Sequence, residues 1–292
     1  MGYGLLCASL AAICWGVAPI FQKLALKDMG LTELNAVRGI GLLAVLLPVF
    51  FFGKKDLFLP EANFYMILMF VALVNNVIGD LFAFIAIRDI GVSLASPITS
   101  AYPLAVALIS WLCFGETMTV FVLAGTFAVV TGLTFLNIRG AAPSSHHLYG
   151  VGAACLAALC WALGLSLNKY LTLQGINSVR ITFWRGVFFS FMALGNWTSL
   201  KALRPEKKRG LKDIPLLGRV AGAWSGVLSL VIGAWFYASS LFMIPMNVAT
   251  PIASSSPLIA ALIACAFTGE RLRPIQWLGI AFVISGAVVV TA

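Results

Sequence analysis

Ser96-Pro97-Ile98-Thr99-Ser100-Ala101-Tyr102-Pro103 returns 154 residues later as Thr250-Pro251-Ile252-Ala253-Ser254-Ser255-Ser256-Pro257. Downstream residues match at the same offset: Gly115-Glu116 and Gly125 answer to Gly269-Glu270 and Gly279. Upstream of each copy the offset is 146, with Tyr3-Gly4, Cys14-Trp15 and Gln22-Lys23 answering to Tyr149-Gly150, Cys160-Trp161 and Asn168-Lys169. Matches in this order amount to an internal repeat. In a membrane chain, such a repeat points first to a secondary transporter.

The composition places the chain in a membrane. Of its 292 residues, 61% are hydrophobic and 10% charged, and the mean hydropathy is +1.00. A soluble domain carries about 25% charged residues. Apolar stretches of about 20 residues, each long enough to cross a bilayer, follow one another. In lipid the backbone must satisfy its own hydrogen bonds, so spans are helices or closed barrel strands. The apolar runs here are continuous rather than alternating, which excludes a barrel. The first stretch lacks a basic leader and a cleavage site, so it reads as a retained span.

Ten spans are expected, at 4–26, 32–53, 64–87, 92–114, 118–138, 148–171, 177–200, 216–241, 246–267 and 273–291. Polar turns with glycine part the early ones, at Lys27 to Gly30 and Gly53 to Asp56. Arg88 to Gly91 and Phe242 to Met246 read as tight connections, and Gly115 and Gly269 as helix ends. Five spans per half is an odd number, so the second half enters the membrane opposite to the first. The expected fold is therefore all-α and integral to the membrane: ten transmembrane helices in two inverted five-helix repeats. Residues 1–138 and 148–292 form the repeats and 139–147 the linker. A substrate site is expected near the midplane, between the halves.

Charge bears on orientation. Apart from Lys23, Arg38, Lys169 and Arg185, twelve basic residues lie on the face holding the polar loop 201–215 and three on the face holding both termini. The positive-inside rule would put the richer face in the cytoplasm. Seven of the twelve fall between Lys201 and Arg219, and without them the split of 5 to 3 decides nothing. The net charge of +9 reads as this topological signal, with no nucleic-acid partner. All six cysteines lie in apolar stretches and read as small packing residues. His146 and His147 have no further ligand type close by, so neither metal nor cofactor is expected.

Few polar residues fall within spans. Asp80 is the one acid expected inside a span, after Asn75, Asn76 and Gly79. Ionisable groups in membranes face a cavity or a partner. Asp80 is either a proton-coupling or ammonium-binding site, or a permanent partner of Arg38, or close enough to the span end to reach water. Its match in the second half is Ala234. Arg38-Gly39 and Arg185-Gly186 occupy corresponding places in the second span of each half. An arginine keeps its proton and needs an anion, carbonyls or water. These two either bind a carboxylate or phosphate, or tie helices and snorkel. Lys23 and Lys169, at span ends, read as snorkelling.

The proline pairs are more specific. Each proline removes an N–H and frees the carbonyl four residues before it. Backbone loosened in this way is tolerated only where it is covered by protein or lines a watery cavity. Ser96, Thr99, Thr250 and Ser254 are thus cavity candidates whose hydroxyls can meet freed carbonyls or a substrate; close packing by small residues is the other reading. Trp15 and Trp161 match by repeat and sit mid-span, as pocket walls would. Asn76, Tyr102 and Trp235 complete the candidate cavity. HExxH, GxSxG and Walker motifs are absent, which argues against an intramembrane enzyme. A channel is disfavoured by the broken-helix repeat without rings of charge.

On these residues the chain resembles the EamA-type members of the drug/metabolite transporter superfamily. The resemblance rests on Cys14-Trp15-Gly16 and Cys160-Trp161. It rests further on the segment Pro97 to Gly115-Glu116, Gly125 and Gly132, with its copy Pro251 to Gly269-Glu270, Gly279 and Gly286. It implies export or exchange of small metabolites such as amino acids, without ATP hydrolysis or a cofactor. It implies a cavity lined by spans one, three, four, six, eight and nine, with five and ten peripheral, in a multi-pass protein of the cell membrane. It also implies both termini in the cytoplasm, against the full charge count. The partners implied are a small solute, the bilayer and protons, and a homodimer is compatible with the fold.

Overall fold

The computed structural model describes residues 1–53, 57–137, 147–203, 210–268 and 273–291. Among these the chain is helical, with no strand. Ten helical rods follow in order: α1 Gly2–Ala25, α2 Leu31–Gly53, α3 Ala62–Ile90, α4 Val92–Thr99 continued by Tyr102–Phe114, and α5 Val120–Asn137. Then come α6 His147–Leu173, α7 Ser178–Leu203, α8 Leu216–Ser240, α9 Met246–Ala253 continued by Ser256–Thr268, and α10 Pro274–Val289. Rod ends fall within three residues of the expected spans. The linker residues 139–146, Lys54, Lys55 and Gly269-Glu270 lie outside the described residues.

Seven rods are long and apolar enough to cross a membrane: α1, α2, α3, α4, α6, α8 and α9. The shorter α5 and α10 are apolar too. Large side chains such as Trp111, Phe127, Phe191, Trp224 and Trp277 stand on the outside, more than half exposed. A protein in water rarely shows so much apolar surface, whereas hydrocarbon solvates it.

Two rods break where the sequence pairs its prolines. The helix pauses at Ser100–Ala101 in α4 and at Ser254–Ser255 in α9. Pro103 stands in the first turn of the second piece of α4, where its missing N–H costs nothing. Among the described residues, the hydroxyls here bond to other carbonyls than those the prolines free. Thr99 Oγ1 donates to the Ser96 carbonyl, Ser254 Oγ to that of Pro251 and Ser255 Oγ to that of Ile252, each three residues back. Two other rods contain a π-helical stretch, Ala72–Gly79 in α3 and Val227–Gly233 in α8. These match at the 154-residue offset to within one residue, and π-helical turns inside helices are frequent at functional sites.

Helices of the first half pack on helices of the second. α1 lies against α8 and α9, α6 against α3 and α4, α2 against α7, and α5 against α10. The α5–α10 contact is backbone to backbone. A Cβ on Gly286 would stand 2.7 Å from the Gly125 carbonyl oxygen and 2.7 Å from Val129 N. Gly115 ends α4 in the left-handed region (φ 64°), as its sequence position leads one to expect, and Gly91 joins α3 to α4 at φ 74°.

Candidate functional site

Trp15 and Trp161 each lay an indole on the π-helical turn of a rod from the other half. A Cβ on Gly233 would stand 2.8 Å from Trp15 Nε1, and one on Gly79 would stand 2.9 Å from Trp161 Nε1. Only glycine leaves the indole its place. The two then bond differently. Trp15 Nε1 donates to the carbonyl of Ser229, within the π turn, at 3.0 Å. Trp161 Nε1 donates to Asp80 Oδ1 at 3.2 Å. The two contacts thus share a shape and differ in chemistry, with a carboxylate on one side only.

The helix breaks join this crossing. Tyr237 packs on Trp15 with ring centroids 5.4 Å apart, and its hydroxyl shares a 2.8 Å hydrogen bond with Thr250 Oγ1. Tyr102 stands edge-on to Trp161 at 6.1 Å, within side-chain hydrogen-bonding reach of Ser254. The two broken rods therefore meet the two tryptophans through tyrosines. Thr99, Thr250 and Ser254 are buried, and Ser96 is half-buried.

Arg38 reaches the same place from α2. It is buried; Nη1 donates to Asn35 Oδ1 at 3.1 Å and Nη2 to Ser229 Oγ at 3.3 Å, with the cation 5.5 Å above the Phe189 ring. Its charge and that of Asp80 act on each other across space, while its hydrogen bonds go to Asn35 and Ser229. Arg185 is equally buried at 6% exposure, and among the described residues its guanidinium makes no hydrogen bond or ion pair. Asn76 Oδ1 is sealed without a partner. Trp235 packs its ring on that of Phe236, with centroids 5.0 Å apart.

Two expectations are corrected. Asp80 is not the only acid in a rod: Glu33 stands in the first turn of α2, and α3 runs on to Ile90 and takes in Asp89, buried beside Arg88 at 2.6 Å. Lys169 does not snorkel. It is 8% exposed, its Nζ lying 3.1 Å from Glu116 Oε1 and donating to the Leu241 carbonyl at 3.1 Å. Glu116, read from sequence only as a helix end, is the residue that was missed. Its carboxylate also accepts from Ser110 Oγ and from the backbone N–H of Met246 (2.8 Å) and Asn247 (3.1 Å). Burial pushes its pKa up, but these donors and the Lys169 charge outweigh that and hold it below the ordinary glutamate value. The hint in the sequence was an acid just past a glycine stop, in register with a lysine at the end of α6.

The EamA-like transporter family model matches residues 2–138 and again residues 148–292. The chain belongs to the EamA-like transporter family. It is similar to an uncharacterized transporter of Archaeoglobus fulgidus, 25% identical over 272 residues, covering 92% of this chain and 90% of the relative. It is also similar to the uncharacterized transporter YoaV of Bacillus subtilis, 28% identical over 139 residues and 46% of each chain. A crystal structure of another protein shares the fold, with a TM-score of 0.81 at 15% identity, covering 100% of this chain and 97% of that one. Family membership and the apolar rods make this EamA-like protein a multi-pass membrane transporter, whose partners are a small solute and the bilayer.

Proposed function

We propose that the protein moves small metabolites, amino acids or related amphipathic compounds, across the cell membrane by alternating access, in the direction of export. In this reading residues 1–138 and 148–292 are inverted halves that rock about the crossing of α1, α3, α6 and α8. The reciprocal seating of Trp15 on Gly233 and Trp161 on Gly79 is the observation that carries it. Each half grips the other through the same contact, and such a joint can work in two senses. Trp15, Trp161, Tyr102, Asn76, Ser96, Thr99, Thr250, Ser254 and Trp235 are the proposed cavity residues. Asp80 is the proposed proton-coupling group, and Arg38 and Arg185 the groups that hold an anionic part of the solute.

A carboxylate can take and release a proton at modest cost, which an arginine cannot. Asp80 already accepts a hydrogen bond from Trp161, so either protonation state has a partner at the crossing. The test is reconstitution into liposomes after a screen of solutes for thermal stabilisation. Saturable uptake, accelerated by the same solute on the far side, is expected. Uptake that does not saturate and ignores far-side solute would make the protein a channel and end the reading.

A further inference from the structure

We propose that Glu116, Lys169 and the first turn of α9 form a latch that holds shut the face bearing both chain ends, and that the latch opens once in each transport cycle. This rests on the alternating-access reading above. Glu116 and Lys169 are positioning residues in this scheme and touch no solute.

The geometry is that of a closure between halves. Ser110, Glu116 and Thr117 come from the first half. Lys169, Leu241, Met246 and Asn247 come from the second. Met246 and Asn247 open α9, where N–H groups have no intrahelical partner and the helix end favours negative charge. Glu116 supplies both the acceptor and the charge. Lys169 pairs with the carboxylate and also takes the Leu241 carbonyl at the end of α8. Asn247 Nδ2 adds a bond to the Thr117 carbonyl at 3.0 Å. The turn between α8 and α9 is thereby fastened to the end of α4 and to α6 at once.

An apolar core backs the latch. Behind the latch, Ala8, Val106 and Val122 of the first half join Leu165, Tyr237 and Leu241 of the second in one buried apolar cluster. Two further clusters, around Leu46 and Phe189 and around Leu68 and Leu171, lie toward the same face, and on the opposite face the halves also meet in clusters around Met29 and Ile214, Ile90 and Ala154, and Leu133 and Leu258. Lys23, which matches Lys169 by repeat, stands exposed there, whereas Lys169 is buried. The two lysines of the repeat thus stand in different surroundings.

Hydrogen exchange by mass spectrometry on the full chain, in phosphatidylethanolamine/phosphatidylglycerol nanodiscs, tests the latch without a solute. The wild type is compared with Glu116→Gln and Lys169→Met, two ways of weakening one pair. Exchange at residues 246–247 should rise about tenfold or more, equivalent to about 1.4 kcal/mol. Exchange in the turns at 24–31 and 88–95, on the other face, should fall several-fold in the same samples. Loosening confined to 246–247, or loosening of both faces together, would overturn the latch and leave a static cap. Failure of saturable uptake by the wild type is a separate result, bearing on the transport reading alone.

Discussion

Gly233→Ala should destabilise the protein through one named neighbour. The added Cβ lands 2.8 Å from Trp15 Nε1, 2.9 Å from Trp15 Cδ1 and 3.0 Å from Cys14 Cβ. An ordinary contact requires the indole to withdraw by several tenths of an ångström, and its 3.0 Å bond to the Ser229 carbonyl is then strained or lost. A lost buried hydrogen bond costs about 0.5–1.5 kcal/mol, and overpacking a tight contact about 1–3 kcal/mol. The sum expected is roughly 1.5–4.5 kcal/mol. Unfolding titrations in mixed micelles, run as a double-mutant cycle with Trp15→Phe, isolate the effect. Phenylalanine lacks the Nε1 that lies nearest the added Cβ, so the double variant should recover at least about 1 kcal/mol relative to additivity. Simple additivity, or an unchanged Gly233→Ala protein, would refute the reasoning that the glycine exists to seat the indole.

At the α5–α10 contact, Gly286→Val should cost about 3 kcal/mol or more, because its Cβ meets backbone of α5 that cannot swing aside; the same titrations measure it. Asp80→Asn should fold, keep solute exchange in proteoliposomes and lose dependence on a pH gradient; an unchanged gradient dependence makes Asp80 structural. Glu116 has a native pKa below its ordinary 4.5, so its stabilisation is complete above that pH and is lost as pH falls through the native value. The stability gap between wild type and Glu116→Gln should therefore be flat above about pH 5 and shrink below 4.5.

Much of the fold was legible because two prolines, a glycine stop and an indole recur in order. Proline breaks and glycine ends act locally, so their positions carried over to the structure within a few residues. The crossing was only half legible. Trp15 and Trp161 stood out by repeat, but their partners Gly233 and Gly79 are recognised only once the π turns are seen, and nothing in 72–79 announces a widened turn. Glu116 and Lys169 lie 53 residues apart in sequence, and each alone resembles a group at a membrane edge. Their pairing depends on how the halves dock. Asp89 was missed for a simpler reason, since α3 continues past Arg88 to reach Gly91.

The central claim is that the two halves cross the membrane in opposite senses, so that one fold can offer its crossing to either side. Side-specific thiol labelling in sealed vesicles tests it directly, with single cysteines in a background lacking the native ones. Position 27, after α1, and position 174, after α6, are near-counterparts in the repeat. The account predicts that a membrane-impermeant reagent labels them from opposite sides, and that position 117, beside the latch, labels from the same side as 174. Labelling of positions 27 and 174 from one common side would contradict it.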